Sequence, residues 1–389
     1  MYQKHIAIVG AGIVGLSTAF ALLKQGIKHV TVLEQVSVGH DRAESHGLSR
    51  LIRPEYGADR FYTEMVQSSF KLWKSLENHT RRTLYAPTGM LVLGNEDDGV
   101  TESSYDTLRK VGYTPERLTR HTCMQRFPQF NTQSYDVFTY NTEAGMLYVS
   151  TCLQALKDAI LDLGGTILET SCVTHITHNS QHHSPCLHLS TGEKLTADRV
   201  VLATGPWVHR LLEELYLPVR LTRQYLLYFA NLPPATFGLN AFPAFIADKL
   251  YGFPIHSTCA GSGPSWLKAA SHDFGATANP DETPIIDEHV IKRTTKELYD
   301  LIPDLRHAEL AHIDTCIYDV SPDENFILDW YPGDPRIIFA SGLSGHGFKF
   351  GPLLGEMLSS MVCETESVIP LERFRLSRFT DEIHAHSAT

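Results

Sequence analysis

Two short segments in the last fifth of the chain contain residue types that could act on a redox cofactor. The first, residues 314–326, presents Cys316 with Tyr318 two residues later. The second, residues 344–350, is a glycine-rich turn that places Lys349 ahead of an apolar stretch with helical spacing. A thiolate can form a covalent bond and an ammonium can bind an anion, so together the two segments suggest a cofactor or substrate site.

Three glycines near the N-terminus form a dinucleotide-binding fingerprint. Gly10, Gly12 and Gly15 follow an apolar run typical of a buried strand and open a helix-like stretch. Gly10 allows the turn, Gly12 lets the main chain approach a pyrophosphate, and Gly15 permits close packing of helix on strand. Glu34 ends the next predicted strand, where it could bind a ribose and would disfavour a 2′-phosphate. The pattern predicts a bound dinucleotide and leaves FAD and NAD open.

Four further segments follow the fingerprint in a fixed order, and they carry a family resemblance. They are residues 45–57 (Ser45-His46-Gly47-Leu-Ser-Arg50-Leu-Ile-Arg53-Pro-Glu-Tyr56-Gly57), 203–205, 316–318 and 345–349. In this order they resemble FAD-dependent amine oxidases of the D-amino-acid-oxidase superfamily. The similar branch includes monomeric sarcosine oxidase, N-methyltryptophan oxidase and L-pipecolate oxidase. The resemblance spans about residues 5–362, and its specific parts are the first and last of these segments.

The resemblance implies FAD as the cofactor and assigns residues to it. Cys316 would form a thioether to the flavin ring, while Arg50 and His46 would lie near the isoalloxazine. Lys268 would promote the reaction of reduced flavin with oxygen. The remaining cofactor-binding positions implied by the fingerprint and the resemblance are Gly10, Gly12, Gly15, Glu34, Ser45, Gly345, Gly347, Phe348 and Lys349.

The resemblance also implies a substrate site. Arg53 and Lys349 would bind a carboxylate, and the planar guanidinium of an arginine matches that group well. Tyr318 and His272 would line the cavity, with Tyr251 as a weaker candidate. A cation beside the flavin would stabilise the negative charge that arrives with the electrons, an effect that is strongest in a dry site.

Each of these residues also has a purely structural alternative. Cys316 could be an inert buried thiol, and Arg50 or Arg53 could form surface salt bridges. Lys349 could cap a turn, while Tyr318 and His272 could be ordinary core residues. The position of Lys268 depends on the preceding loop, residues 255–266, which is longer than the family pattern.

We therefore expect oxidation of a secondary amine that bears a carboxylate. A hydride would pass to flavin N5, O2 would be reduced to H2O2, and the imine would hydrolyse. Sarcosine, larger N-methyl amino acids and cyclic imino acids all satisfy the same anchors. Two alternatives stay open, namely a flavin dehydrogenase that passes electrons to a protein or quinone, and a dinucleotide-binding protein without turnover.

Composition limits the partners. The 389-residue chain has a net charge of −11, which disfavours nucleic acids and anionic membranes. Seven cysteines without a Cys-x-x-Cys motif favour a reducing compartment over a disulfide framework or a zinc site. A histidine-dense stretch, residues 175–188, is interpreted as a hairpin tip, and no metal is expected. We predict a cytoplasmic protein, and the resemblance suggests a monomer whose partners are a small amine and O2.

The elements that must position these residues alternate along the chain. Strands are predicted at residues 5–9, 29–33, 89–94, 166–168, 173–176, 199–203, 219–229 and 336–340, and helices at 15–24, 61–76, 149–163, 287–301 and 351–362. The glycines within the apolar start favour a strand–turn–helix over a signal peptide or membrane span.

The predicted fold class is α/β plus α+β. A Rossmann-type FAD-binding domain (residues 1–85, 145–215 and 320–385) would be interleaved with an antiparallel-sheet substrate domain (residues 86–144 and 216–319), in a D-amino-acid-oxidase-like arrangement.

Overall fold

The structure, a computed structural model, describes residues 4–179, 183–212, 214–257, 261 and 263–379. The strands, numbered in chain order, are β1 (His5–Val9), β2 (His29–Leu33), β3 (Ser49–Ile52), β4 (Tyr85–Ala86), β5 (Met90–Gly94), β6 (Glu116–Leu118), β7 (Val137–Asn141), β8 (Gly145–Tyr148), β9 (Thr166–Leu168), β10 (Val173–Asn179), β11 (His183–Leu189), β12 (Lys194–Thr196), β13 (Arg199–Leu202), β14 (Arg220–Ala230), β15 (Ala244–Ala247), β16 (Leu250–His256), β17 (Trp266–Ser271), β18 (Glu309–Val320), β19 (Ile327–Tyr331) and β20 (Asp334–Ser341). The α-helices are α1 (Ile13–Lys24), α2 (Arg60–Thr80), α3 (Val100–Val111), α4 (Arg120–Arg126), α5 (Val149–Asp162), α6 (Val208–Leu211), α7 (Pro234–Phe237), α8 (Glu288–Leu301) and α9 (Gly351–Cys363).

A six-stranded sheet forms the first layer, in the order β19-β20-β13-β1-β2-β9. β1 lies between β13 and β2 and pairs with both in parallel, while β19 joins as an antiparallel edge strand. β1 is almost entirely buried, as expected for a strand covered on both faces. This is the predicted Rossmann-type sheet, so the predicted fold class is confirmed.

Helix α1 begins earlier than the sequence predicted. It starts at Ile13 with Gly12 as its N-cap, whereas the prediction placed its start at Gly15. Gly15 therefore lies within the first turn, where an added Cβ would fall 1.9 Å from the Gly10 carbonyl oxygen. Helix α9 also packs closely on α1, because a Cβ on Gly355 would fall 2.5 Å from the Ser17 backbone. The glycines thus set the distances between neighbouring backbones.

An eight-stranded, mainly antiparallel sheet forms the second layer, in the order β18-β14-β17-β16-β15-β5-β7-β6. Its longest pairing, β14 with β18, sets Gln224 opposite Cys316 and Thr222 opposite Tyr318. One apolar cluster, which includes Phe130, Phe242 and Phe245, fills the space behind this sheet. The register of β18 therefore fixes which face its cysteine and tyrosine share.

Two smaller sheets complete the architecture. The β3-β8-β4 sheet contains the strand that carries Arg50, and β10-β11-β12 contains the histidine-dense stretch. β10 and β11 form an antiparallel pair in which the rings of His175 and His188 stack 4.0 Å apart, while residues 180–182 fall outside the described part. Within that part, no cluster of three or more His, Cys, Asp or Glu side chains could hold a metal.

Two further properties bear on the expectations from sequence. All the described cysteines are free thiols, namely Cys123, Cys152, Cys172, Cys186, Cys316 and Cys363. Across the ranges that the structure describes, no helix combines the length and apolar character needed to cross a bilayer. The division of the chain into two interleaved domains stays a prediction.

Candidate active site

A cavity at the carboxyl end of β1 lies where the fingerprint predicts a dinucleotide. This dinucleotide cavity is lined by Gly10, Gly12, Glu34 and Ser45, together with the residues that follow β13. The backbone of Gly10 has a φ of +101°, which favours glycine, and a Cβ there would fall 2.4 Å from the Ala203 carbonyl oxygen. The Ser45 hydroxyl accepts a hydrogen bond from the Ile13 amide, and so links the segment 45–57 to the first turn of α1.

Glu34 is held in place at the end of β2. Its carboxylate accepts hydrogen bonds from the amides of Ala11 (2.8 Å) and Val36 (3.0 Å), and it lies 3.4 Å from His40 Nε2. Burial acts to raise the pKa of Glu34, but the hydrogen bonds from His40 and the two amides outweigh it and leave the pKa below its usual value. The residue is therefore ionised and oriented, as a ribose-binding carboxylate requires.

Two buried polar atoms along this cavity have no partner among the described residues. They are the hydroxyl oxygen of Thr204 and one carboxyl oxygen of Glu44, and both residues line the dinucleotide cavity. Buried polar groups are nearly always hydrogen-bonded in folded proteins. Their positions therefore fit a bound group with hydrogen-bonding atoms of its own.

A smaller cavity continues from the same residues toward β18. It is lined by Glu44, Ser45, Arg50, Cys316, Tyr318, Asp319, Gly345, Gly347 and Phe348, among others. Gly345 has a φ of +74°, and a Cβ on it would fall 2.3 Å from the ring of Tyr318. The structure thus brings the two C-terminal segments together with the segment 45–57, although they are far apart in sequence.

Arg50 is oriented by three carbonyl oxygens, which belong to Glu44, His46 and Ser49. Its guanidinium lies 5.9 Å from the Phe348 ring centroid. His46 turns toward β18 instead, where its Nε2 lies 2.9 Å from a carboxyl oxygen of Asp314. His46 lines neither this cavity nor the others described here, so the structure gives it a position beside Asp314 rather than at a cavity wall.

Lys268 is buried beneath the strand that carries Arg50. Its side chain is 1% exposed, and its ammonium donates a hydrogen bond to the Ser49 carbonyl oxygen at 2.7 Å. Burial lowers the pKa of Lys268 well below its usual value, and the charge of Arg50 lowers it further. The sequence predicted a partly desolvated lysine, and the structure shows one that is almost completely buried.

A large cavity of about 470 Å³ lies on the other side of Arg50 and Phe348. Its wall contains eight of the predicted residues, namely Arg50, Arg53, Tyr251, His272, Tyr318, Gly345, Phe348 and Lys349. Phe348 and Gly345 also line the smaller cavity, so the two spaces share a wall. A cofactor that reached through the smaller cavity would therefore meet the large one.

Two cations of this large cavity lack an ion-pair partner in the described ranges. Lys349 is 4% exposed, and its ammonium donates hydrogen bonds only to neutral acceptors, the Tyr56 hydroxyl (2.7 Å) and the His346 carbonyl oxygen (3.0 Å). Arg53 donates to the backbone carbonyl oxygen of Glu55 and lies 5.1 Å from the Tyr56 ring centroid. Burial lowers the pKa of Lys349 well below its usual value, and Arg53 adds to this effect. An anion bound here would compensate the charges of both cations.

Three further side chains with rings, those of His272, Tyr318 and Tyr251, also line the large cavity. The ring of His272 lies 5.9 Å from that of Tyr318 and 6.2 Å from that of Tyr251, both at steep angles. Burial lowers the pKa of His272 to about 4, and the charges of Arg53 and Lys349 act in the same direction. His272 is therefore neutral at physiological pH.

Several residues beside the motifs were missed by the sequence reasoning. Tyr56 joins Lys349 to His346, since its hydroxyl lies 2.9 Å from His346 Nδ1. Glu55 lines the large cavity, and Asp319 binds the Leu343 amide beneath the smaller one. Each lies within or next to a segment that had drawn attention for its other residues. Proximity to those motifs was the available signal.

Comparison with known proteins decides the family. A family model described as FAD dependent oxidoreductase matches residues 5–361. The chain belongs to this family of FAD-dependent oxidoreductases. The predicted superfamily is thereby confirmed. The glycine turn, the ionised Glu34 and the unpartnered atoms of Thr204 and Glu44 fit FAD as the bound group.

Relatives that match over nearly their full length include proteins named as oxidases. The chain is 32% identical to the human protein named peroxisomal sarcosine oxidase over 392 residues, which cover 97% of each chain. It is 28% identical to the N-methyl-L-tryptophan oxidase of Salmonella dublin, over 97% of this chain and 100% of the relative. These similarities, between sequences of nearly equal length, confirm the predicted enzyme class, an FAD-dependent amine oxidase.

Solved structures agree on the fold. The L-proline dehydrogenase from P. horikoshii superposes with a TM-score of 0.84 at 19% identity, with 98% of each chain covered. The open form of NikD, an amino acid oxidase of nikkomycin biosynthesis, superposes with a TM-score of 0.81 at 21% identity, over 96% of this chain and 97% of the other. At these identities the comparison supports the architecture alone.

Proposed function

We propose that this chain oxidises a secondary amine that carries a carboxylate, with O2 as the electron acceptor and H2O2 as a product. The observation on which this rests is the pair of unpaired cations, Arg53 and Lys349, in a cavity that shares a wall with the predicted flavin-ring cavity. The names of the sarcosine and N-methyltryptophan oxidases add support, because both describe oxidases of N-methylated amino acids.

The carboxylate clamp follows from the geometry of these cations. Lys349 supplies an ammonium and Arg53 a planar fork, and both already have their geometry fixed by neutral partners. A carboxylate would gain charge-assisted hydrogen bonds there without displacing an existing ion pair. Its amine end would then lie toward the shared wall formed by Arg50 and Phe348.

The chain's own residues would hold the cofactor along its whole length. Gly10, Gly12 and Glu34 would bind the dinucleotide end, and Ser45 and Gly345 would flank the path to the ring. We propose that Cys316, in the wall of the smaller cavity, is the point of covalent attachment. FAD, when bound, supplies the electron sink that amine oxidation requires, since no side chain can act as one.

Lys268 would serve the oxygen reaction. Lys268 lies on β17 and is almost completely buried. Its ammonium donates a hydrogen bond to the carbonyl oxygen of Ser49 on β3, the strand that also carries Arg50. A positive charge held in a dry site stabilises a developing negative charge on oxygen far more than the same charge in water. This position supports O2 as the acceptor in preference to a protein or quinone.

An anaerobic and an aerobic measurement together test this function. N-methylglycine, N-methyl-L-tryptophan and L-pipecolate should each be mixed with the purified protein without oxygen. Loss of the flavin absorbance with at least one of them supports amine oxidation, and no loss with any carboxylate-bearing amine refutes it. On admission of air, peroxide formed without an added acceptor supports the oxidase. Bleaching that air fails to reverse would instead favour the dehydrogenase.

The monomeric state and the cytoplasmic location stay predictions. Size-exclusion chromatography with light scattering tests the first, and imaging of the tagged chain in its own cell tests the second.

A further inference from the structure

The large cavity has opposite charges at its two ends. Lys349, which is buried, and Arg53, which is half-buried, define the inner end. The other end reaches the surface, where the exposed residues Asp98 and Asp248 contribute to the lining. Lys249 is also found there, but its ammonium pairs with Asp273 at 3.0 Å and approaches Glu297 at 3.9 Å. The outer end is therefore net negative.

The two outer carboxylates lack a cationic partner within the described residues. Asp98 accepts hydrogen bonds from the amides of Val100 (2.8 Å) and Asn95 (3.4 Å), which leave its charge uncompensated. Asp248 has a φ of +52°, a left-handed conformation that Asp and Asn tolerate better than most residues. Taken alone, Asp98 and Asp248 would be two ordinary solvated carboxylates at the outer rim of the cavity.

A buried carboxyl group in the wall of the same cavity is a second indication that a ligand with a hydrogen-bond donor binds here. Glu55 is 5% exposed and lines the large cavity. One of its carboxyl oxygens accepts a hydrogen bond from Asn141 Nδ2 at 2.8 Å. The other has no partner among the described residues. Such an atom is costly unless a donor reaches it.

We propose that the substrate of the oxidation proposed above is an elongated zwitterion with a second, cationic amino group. Its carboxylate would bind Arg53 and Lys349. Its second ammonium would extend along the cavity toward Asp98 and Asp248, and a donor on the same molecule would satisfy Glu55. A cavity of about 470 Å³ has room for such a molecule, which is considerably larger than N-methylglycine.

Charge complementarity favours this class over the alternatives. A second carboxylate on the substrate would approach the two rim carboxylates, Asp98 and Asp248, and an apolar side chain would leave both of them without a cation. A basic amino acid that is alkylated on its α-nitrogen meets both requirements. The inference rests on the proposed amine oxidation and specifies its substrate.

A matched pair of substrates tests the inference. Nα-methyl-L-lysine and Nα-methyl-L-norleucine differ only in the terminal ammonium group. We expect kcat/KM to be at least about 10-fold higher for the lysine compound, because a hydrogen bond to a charged group typically has that effect. An equal or higher kcat/KM for the norleucine compound would overturn the inference.

Single substitutions in the cavity wall test which carboxyl groups cause the preference for the lysine compound. Glu55→Gln retains the shape and an oxygen for Asn141 but removes the charge, and Asp248→Asn does the same at the rim. Each should reduce the preference for the lysine compound several-fold, and the effect of Asp248→Asn should weaken in high salt. Asp97→Asn is the matched control, since Asp97 is exposed beside Asp98 and does not line the cavity.

The possible outcomes separate the two proposals. If both compounds are oxidised without a preference for lysine, the inference fails while amine oxidation stands. If neither compound bleaches the flavin, the inference fails, and if N-methylglycine, N-methyl-L-tryptophan and L-pipecolate also leave it unchanged, the proposed function fails with it. If Glu55→Gln does not fold, the wild-type comparison and Asp248→Asn still decide the question.

Discussion

The Lys268 ammonium donates a hydrogen bond to the carbonyl oxygen of Ser49, 2.7 Å away, and so ties β17 of the large antiparallel sheet to β3. Ser49 immediately precedes Arg50, whose guanidinium also binds the same carbonyl oxygen. One main-chain oxygen thus receives donors from two cations. A change at Lys268 is expected to affect the reaction on this side of the flavin while the substrate cations remain in place.

We predict that Lys268→Met slows the oxygen reaction. The loss of one fixed charge from a dry site typically reduces a rate by about 100-fold or more. Stopped-flow mixing of the reduced protein with oxygen should show this loss, while anaerobic reduction by substrate changes much less. Lys292→Met, at an exposed lysine of α8, is the matched control. An unchanged oxygen rate in Lys268→Met would exclude this role.

We predict that Arg53→Met weakens the binding of carboxylates selectively. Charge-assisted hydrogen bonds of this kind contribute roughly 1.5–3 kcal/mol each, so N-methylglycine should lose about 100-fold in apparent affinity. N-methylglycinamide, which has nearly the same shape but no carboxylate, should lose far less. Arg60→Met serves as the control, because Arg60 is exposed and pairs with Glu64. Equal losses for both ligands would argue against the clamp.

We predict a covalent flavin whose attachment accelerates with pH. Burial raises the pKa of Cys316 to about 11, although Arg50 and Lys268 act to lower it. Since the thiolate is the reactive form, its fraction and the attachment rate should rise about 10-fold per pH unit between pH 7 and 9. The measurement is the protein-bound yellow colour that survives denaturation after apoprotein is incubated with FAD in air, where O2 accepts the two electrons and two protons lost when the thiol is joined to the ring.

The variant Cys316→Ala provides the control for attachment. Its flavin should separate completely from the denatured chain, whereas the wild-type chain should retain flavin mass. Complete release from the wild type would show that the cofactor is bound without a covalent bond.

We predict that His256 lowers stability in acid. Its ring is buried, Nδ1 lies 2.7 Å from the Pro254 carbonyl oxygen, and Nε2 has no partner within the described residues. Burial lowers the pKa of His256 to about 4, against about 6.5 in the unfolded chain. Between these values only the unfolded chain takes up the proton, so stability falls as the pH drops from 6.5 to 4, by roughly 3 kcal/mol for this group.

The variant His256→Phe should remove that contribution. Phenylalanine matches the aromatic neighbours Tyr148 and Phe253, so the fold should be retained at pH 7. Urea unfolding at pH 7, 5 and 4 should show a smaller loss of stability than in the wild type. His289→Gln, at an exposed histidine, should behave like the wild type. Parallel curves for His256→Phe and the wild type would contradict the prediction.

The dinucleotide end was predictable because its determinants are local. The strand β1, the glycine turn and Glu34 follow one another within residues 5–34, and their hydrogen bonds join neighbouring elements. Only the start of α1 was misplaced, because Gly12 acts as an N-cap and the helix therefore begins at Ile13.

The substrate side was less predictable because its contacts are long-range. Tyr56 meets Lys349 and His346 across about 290 positions, and Lys268 meets Ser49 across 219. The periodicity of a short sequence segment gives no information about contacts between residues so far apart in the chain. The residues that the resemblance assigned to the substrate site line one cavity, but the resemblance gave no reason to consider Glu55, which stands out only by its burial and by a carboxyl oxygen without a partner among the described residues.

The position of β20 has a consequence for how the chain matures. β13 pairs with β20 on one side and with β1 on the other, and α9, which follows β20, packs on α1 through Gly355. A nascent polypeptide that has emerged only as far as β13 therefore exposes an open sheet edge and an uncovered helix face. The nucleotide pocket can reach its final form only after translation has delivered almost the entire chain.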